Sequence, residues 1–145
     1  DLYSLLKKSA EPLLIPMDIK NQKLNIYADN ISLDCDFAWC LEAFGNILKN
    51  CTEHTPENGE IRVSAEDTPI FTEIIISDTG SGIREEDLPH IFERFYKGRN
   101  SSKESFGVGL NLAKMIIAGH NGTIKAENGE PCGAEFTIRF YKQIV

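Results

Sequence analysis

The sequence predicts an α/β fold in which helices lie on one face of a mixed, mostly antiparallel sheet, a two-layer sandwich. Three observations predict it. Runs with apolar residues every three or four positions alternate with short strand-like runs. Two strand-like runs, residues 61–66 and 71–77, stand so close together that they should pair antiparallel. Two more follow the last helix-like run. At 145 residues with 41% hydrophobics, the chain suits one globular domain over 1–145 with a core of its own and no second domain.

Residues 1–20 read as helical, with Leu2, Leu5 and Leu6 on one face and Pro12 and Pro16 breaking or restarting the helix. Residues 23–28 read as a short strand. Over 36–54 apolar residues recur at Phe37, Leu41, Phe44, Leu48 and Cys51, a helical stripe that Thr55-Pro56 ends. Residues 61–66 alternate like a strand, Asp67-Thr68-Pro69 turns, and 71–77 form the next strand. A short helical turn is expected over 85–91, followed by an aromatic cluster of Phe92, Phe95 and Tyr96. Residues 97–105 carry no aliphatic anchor, so the sequence predicts a mobile, solvated lid there. A helix over 108–119, with a stripe at positions 108, 112, 115 and 116, leads through Asn121-Gly122 into strands at 123–126 and 134–141.

Charge and composition exclude several functions. A net charge of −7 and an isoelectric point near 5.0 disfavour binding to nucleic acid or to anionic membranes, which needs clustered Lys and Arg. The apolar runs are far shorter than the roughly 20 residues of a membrane helix, and no signal-peptide pattern opens the chain. The four cysteines, Cys35, Cys40, Cys51 and Cys132, have neither metal-ligand nor disulfide-framework spacing and read as reduced core residues. A cytoplasmic setting fits.

The chemistry-bearing residues form three groups. Asp78-Thr79-Gly80-Ser81-Gly82-Ile83 closes a strand, and Gly107-Val108-Gly109 opens a helix. A carboxylate at a strand end can accept from an adenine amine, while glycines and a helix N-terminus present backbone N–H groups to phosphate oxygens. Upstream, Asn46-Ile47-Leu48-Lys49-Asn50 puts two amides one helical turn apart, beside Glu42 and Glu53 on a polar face. Such amides ligate a hard cation and bond phosphate oxygens.

Taken in order, residues 46–50, 78–83, 92–95, 107–110 and 133–136 resemble the N, G1, F, G2 and G3 boxes of the ATP-binding catalytic domain of bacterial sensor histidine kinases. The resemblance covers nearly the whole chain. That family shares the Bergerat ATP-binding fold with gyrase B, the chaperone Hsp90 and MutL. The resemblance implies a protein histidine kinase that binds ATP and Mg²⁺. Asn50 would ligate the metal and Asn46 would stand beside the phosphates. Asp78 would accept from the adenine amine, with Gly80, Gly82 and Ile83 shaping its floor. Tyr96 and Lys97 would line the lid side, and Gly107, Val108, Gly109 and Leu110 would give N–H groups to the phosphates. Thr137 lies where a polar residue often stands near the adenine. His54 is either an adenine-side contact or a helix-end residue favoured by the macrodipole.

The chain departs from the family pattern after Asn50, where Cys51, Glu53 and His54 replace the usual Ala, cation and aromatic residue, and at Asn111, where a third glycine is common. Glu42-x-x-x-Asn46 imitates the water-activating register of hydrolysing ATPases, but Cys51 after Asn50 and the helix end at Thr55 favour Asn46 and Asn50. The water-activating position is then an amide, so the domain should be a poor ATPase. The family's phosphoacceptor histidine, followed by an acidic residue, has no counterpart, because His54, His90 and His120 precede Thr55, Ile91 and Asn121. No catalytic residue is therefore assigned. The chain reads as a fragment of a membrane-anchored sensor, itself without membrane contact, whose partners are the histidine-bearing dimerisation hairpin and a response regulator. Three alternatives stay open: a non-catalytic nucleotide-binding regulatory module, favoured by Glu53; a serine kinase of the anti-sigma-factor type, which needs Glu at position 46; and an aspartic-protease half around Asp78-Thr79-Gly80.

Overall fold

The fold was analysed in a computed structural model, which describes residues 1–94, 96–97, 105–107, 109–129 and 132–142, the side chains of 96–97 and 105–107 excepted. The first helix, α1 (Leu2–Ala10), starts at Asp1, whose carboxylate accepts the Tyr3 N–H at 3.2 Å, and ends with Lys7 and Lys8 at the negative end of the helix dipole. Pro12 sits in a 3₁₀ turn (Glu11–Leu13), and α2 (Leu14–Ile19) resumes with Pro16 in its first turn, where a missing N–H costs no helical bond. After β1 (Lys23–Tyr27) comes α3 (Phe37–His54), capped by Asp36, whose carboxylate accepts from Trp39 N at 3.1 Å. Its C-terminus is held from outside. Lys20 Nζ and Gln22 Nε2 both donate to the carbonyls of Thr52 and Thr55, at 2.7 to 3.2 Å, so the segment before β1 satisfies carbonyls the helix leaves open.

The remaining elements are β2 (Glu60–Asp67), β3 (Phe71–Asp78), β4 (Tyr96–Lys97), β5 (Ser105–Gly107), α4 (Gly109–Gly119), β6 (Gly122–Asn128) and β7 (Ala134–Tyr141). A five-stranded sheet runs in the order β1-β2-β3-β7-β6, with β1 parallel to β2 and every other pair antiparallel, while β4 and β5 form a separate ribbon. Cross-strand partners Ile74–Ile138 and Ile76–Phe136 share the face on which α1, α3 and α4 pack. Phe44 of α3, fully buried, lies over Phe140 at 6.2 Å between ring centroids. Truncating Phe44 to alanine would cost about 3–5 kcal/mol in transfer and cavity terms. The two-layer α/β sandwich is as predicted.

Two stripes rotate from their predicted positions. On α3 the buried set is Cys40, Ala43, Phe44, Ile47, Leu48 and Cys51, whereas Phe37 is 50% exposed. On α4 it is Leu110, Ala113, Ile116 and Ile117, with Met115 63% exposed. Both helices carry more apolar residues than one face holds, so periodicity alone does not select the face and packing between α3 and α4 does. The cysteines also differ from expectation. All four are free thiols, but only Cys40 and Cys51 are buried, Cys35 being half-buried and Cys132 exposed.

Candidate functional site

Asp78 ends the central strand β3, flanked by β2 and β7, and only 6% of its surface is exposed. A buried carboxylate needs donors. Its Oδ1 accepts the backbone N–H of Gly80 at 2.9 Å and of Ala134 at 3.1 Å, the second from the start of β7. Cys51 of α3 packs beside it. Burial pushes the Cys51 thiol well above its ordinary value, and the neighbouring Asp78 carboxylate pushes in the same direction.

The loop after Asp78 admits no side chains at its glycines. A Cβ on Gly80 would lie 2.4 Å from the His54 carbonyl oxygen, so the loop runs tight against the end of α3. Gly133 has φ +87° and would place a Cβ 1.7 Å from the Asp78 carbonyl oxygen. Asn128 then clamps the loop's far end: its Oδ1 accepts from Ile83 N at 2.7 Å and its Nδ2 donates to Ile83 O at 2.8 Å. Thr79 Oγ1 accepts the Glu60 N–H at 2.9 Å, pinning the near end to β2.

On α3, Asn50 is 7% exposed and Asn46 half-buried one turn earlier. Asn46 faces the start of α4, since a Cβ on Gly109 would be 3.7 Å from its Cβ and Cγ and 3.8 Å from its Oδ1. Among the described residues no hydrogen bond engages either side-chain amide. The Asn46 amide therefore stands at the first turn of α4, a helix N-terminus of the kind that attracts anions, and Asn50 follows it one turn along α3. Asn50 Oδ1 is a hard oxygen donor of the kind Mg²⁺ accepts alongside phosphate and water. Among the described residues no group of three or more His, Cys, Asp or Glu side chains is placed to hold a metal. A cation here would thus rest on the amide and on its ligand's own oxygens.

The other predicted residues fall as follows. Leu110 is buried in the first turn of α4. His54 is half-buried in the last turn of α3 and engaged with a neighbour, while Glu53 is exposed. Tyr96 and Lys97 run along β4, Tyr96 paired with Gly107 on β5. Val108 and residues 98–104 of the predicted 97–105 lid lie outside the described residues, and its ends, Lys97 and Ser105, are paired on β4 and β5. Asn111, in place of a third glycine, donates from Nδ2 to the Phe92 carbonyl at 3.0 Å and so ties the aromatic segment to α4. The Phe92 ring meets Phe136 edge to face at 6.4 Å, with Lys114 Nζ 5.5 Å from its centroid.

Thr137 requires a correction. Its cross-strand partners are Ile75 and Lys125, whereas Ser77 pairs with Glu135, which sets Asp78 and Ala134 on the face shared by Ile76 and Phe136. Strand side chains alternate, so Thr137 points away from Asp78 on the opposite face of the sheet. The residue from this strand that meets the carboxylate is Ala134, through its backbone. Ala134 was missed as a site residue because a main-chain donor leaves no trace in side-chain pattern, and Asn128 because its side chain bonds backbone 45 residues away in sequence. The available signal was Asn128-Gly129 at a strand end, a pair suited to a backbone clamp.

Asp78 also borders a cavity of about 290 Å³ walled by Glu60, Arg62, Thr79, Cys132 and Glu135. Larger cavities of about 570 and 440 Å³ lie elsewhere, one around His120 and Lys142 and the other beside α2, and neither touches Asn46 or Asn50. No helix among the described residues is long and apolar enough to cross a membrane.

Residues 36–144 match the family described as histidine kinase-, DNA gyrase B-, and HSP90-like ATPase. Sensor histidine kinase YvrG of Bacillus subtilis (strain 168) is 35% identical over 79% of this chain and 20% of its own length. Sensor histidine kinase YclK of the same strain is 34% identical over 83% of this chain and 26% of its own length. The chain thus spans about a fifth to a quarter of the curated relatives it matches. Among solved structures, the catalytic domain of histidine kinase ThkA superposes with a TM-score of 0.84 at 26% identity, covering 98% of this chain and 95% of that one. The mycobacterial sensor histidine kinase MprB shares the fold at a TM-score of 0.87 and 21% identity, over 100% and 98% of the two chains. The chain belongs to the histidine kinase-, DNA gyrase B- and HSP90-like ATPase family, and its similarities within that family lie with the catalytic domains of sensor histidine kinases.

Proposed function

We propose that this chain is a single ATP-binding domain that binds Mg²⁺-ATP and presents the γ-phosphoryl group to a histidine on a separate helical segment of a sensor kinase, from which a response regulator draws it. One observation carries the reading: a buried carboxylate, Asp78, held by backbone N–H groups at one end of a site whose other end is the Asn46 amide facing the first turn of α4. Asp78 would accept from the adenine amine, because a carboxylate offers acceptors and no competing donor. Gly107, Gly109 and Leu110 would turn backbone N–H groups to the phosphates, with Asn46 alongside. Asn50 would hold Mg²⁺, which neutralises charge on the phosphates when bound.

The chain's own contribution to transfer is positioning and exclusion of water rather than covalent chemistry. Asn46 stands where a water-activating carboxylate would have to be, and an amide cannot take a proton from water at neutral pH. That supports phosphoryl donation over hydrolysis. Histidine kinase ThkA has been solved in complex with the response regulator protein TrrA, which supports a regulator as the downstream partner. The setting would be the cytoplasmic part of a sensor. Calorimetric titration with a non-hydrolysable ATP analogue, with and without Mg²⁺, tests the reading. Saturable binding that strengthens with Mg²⁺ is expected, and no binding at millimolar nucleotide overturns it.

A further inference from the structure

Gln22 lies just ahead of β1 and is buried, with its backbone N–H bound to Met17 O at 2.9 Å and the next N–H, of Lys23, bound to Gly59 O at 3.0 Å. Its Nε2 donates to Thr52 O at 3.1 Å and to Thr55 O at 2.7 Å, 30 and 33 residues away in sequence. Its Oε1 is buried and has no partner among the described residues. Turning the amide over would set that oxygen against two carbonyls, so the carbonyls dictate the orientation and leave the acceptor orphaned. An apolar side chain of the same length would avoid the cost of that acceptor, so the donors are what this position keeps. The same two carbonyls accept from Lys20 Nζ at 3.1 and 3.2 Å. Lys20 is half-buried, and its ammonium on a flexible four-carbon stem follows the helix end if that end moves. The Gln22 amide, on a backbone fixed at two points, does not.

The turn held by Gln22 is the wall of the Asp78 loop. A Cβ on Gly80 would lie 2.4 Å from His54 O, and one on Gly59 would lie 2.3 Å from Thr55 Cγ2 and 3.0 Å from Thr79 Oγ1. The loop therefore rests closely on residues 54–55, and its Gly80 N–H is one of the two backbone donors on Asp78 Oδ1. We infer that Gln22 is a positioning residue for base selection: it fixes the last turn of α3, which sets the place of Gly80 and so the direction in which Asp78 offers its remaining acceptors. The inference rests on Asp78 being the adenine acceptor. Adenine presents an amine donor where guanine presents a carbonyl acceptor. A carboxylate held in one orientation favours the amine in that direction, whereas one free to tilt admits a bridging water and discriminates less. Asn46 and Asn50 precede this turn on α3, so the metal side of the site does not depend on Gln22.

Three substitutions separate positioning from stability. Gln22→Met keeps the length and removes the donors together with the orphaned acceptor, Gln22→Asn keeps an amide one methylene too short for both carbonyls, and Lys20→Met removes the flexible donor. With non-hydrolysable ATP and GTP analogues, both Gln22 variants should narrow the ATP-over-GTP preference by about threefold to tenfold. The factor by which Mg²⁺ strengthens ATP-analogue binding should keep its wild-type value. Lys20→Met should keep the wild-type preference. Amide hydrogen exchange gives a readout without nucleotide: in the Gln22 variants the Gly80 N–H should exchange about tenfold faster, while that of Ala134, bound to the same oxygen from β7, keeps its rate. A side chain that only stabilised the fold would move both amides together. The inference is overturned if the Gln22 variants keep the wild-type preference, if Lys20→Met narrows it as far, if the two amides change alike, or if neither Gln22 variant folds. If the wild-type chain binds no ATP analogue at all, the nucleotide reading fails and this inference with it. If it binds and the Gln22 variants match it, this inference fails alone.

Discussion

Asn128 and Ile83 exchange two hydrogen bonds across 45 residues of sequence, the Asn128 side chain accepting at 2.7 Å and donating at 2.8 Å to the backbone of Ile83. The pair joins the end of β6 to the end of the loop that starts at Asp78. Removing it with Asn128→Ala leaves both polar groups of Ile83 without these partners, at a cost of about 1–3 kcal/mol. At about 2–4 °C per kcal/mol for a domain near this size, the melting temperature should fall by several degrees. Nucleotide affinity should fall with it. An unchanged melting curve overturns the clamp.

Gly133→Ala and Gly119→Ala should move stability in opposite directions. At Gly133 the positive φ and the 1.7 Å approach to the Asp78 carbonyl oxygen force the strand ends apart, so the variant should fold poorly and lose more than about 3 kcal/mol. At Gly119, the last residue of α4, nothing lies within 4 Å of a Cβ. Alanine there narrows the unfolded ensemble and should add about 0.4–1 kcal/mol. Denaturant titrations of both variants check the contrast.

Asp78→Asn should damage base recognition more than stability. The amide oxygen can still accept from Gly80 and Ala134, but its NH₂ group puts donors where the carboxylate offered acceptors. Competition between ATP and GTP analogues is the measurement. Wild-type affinity and preference in the variant would remove Asp78 from the site.

Asn50→Ala and Asn46→Ala decide the register. Asn50→Ala should abolish the Mg²⁺ dependence of ATP-analogue binding, whereas Asn46→Ala should weaken binding and leave that dependence in place. The reverse result would make Glu42 and Asn46 the functional pair. Asn46→Glu should raise slow ATP hydrolysis by supplying a proton acceptor.

The Asp67 carboxylate, hydrogen-bonded to Lys142 at 2.8 Å and to Thr72 at 2.9 Å, is held below its ordinary value of 3.8, chiefly by the Lys142 contact. A depressed folded value means stability that is present above 3.8 and lost as pH falls through the lower folded value. The gap in denaturation midpoint between wild type and Asp67→Asn should be constant near neutrality and close below about pH 4. A gap independent of pH overturns the assignment.

The elements of this chain were legible because their signals are local. Pro12 and Pro16 at helix restarts and Thr55-Pro56 at a helix end each act through the backbone within one turn, and each stands where the sequence placed it. Within the site region, the Gly80 N–H reaches Asp78 two residues earlier, and Asn46 of α3 lies against Gly109 at the start of α4.

What the sequence determined by itself was therefore the alternation of helices and strands and the mixed sandwich they form. Three matters belonged to the tertiary structure. Which face of α3 and α4 is buried depended on how two apolar-rich helices pack together, so Phe37 and Met115 ended outside. Thr137 was lost from the site because strand register decides which face a residue takes, and one position moves a side chain to the opposite face. The donors that hold Asp78 come from the Gly80 and Ala134 main chain. Every residue but proline carries a backbone N–H, so only the folded chain selects the ones that reach the carboxylate.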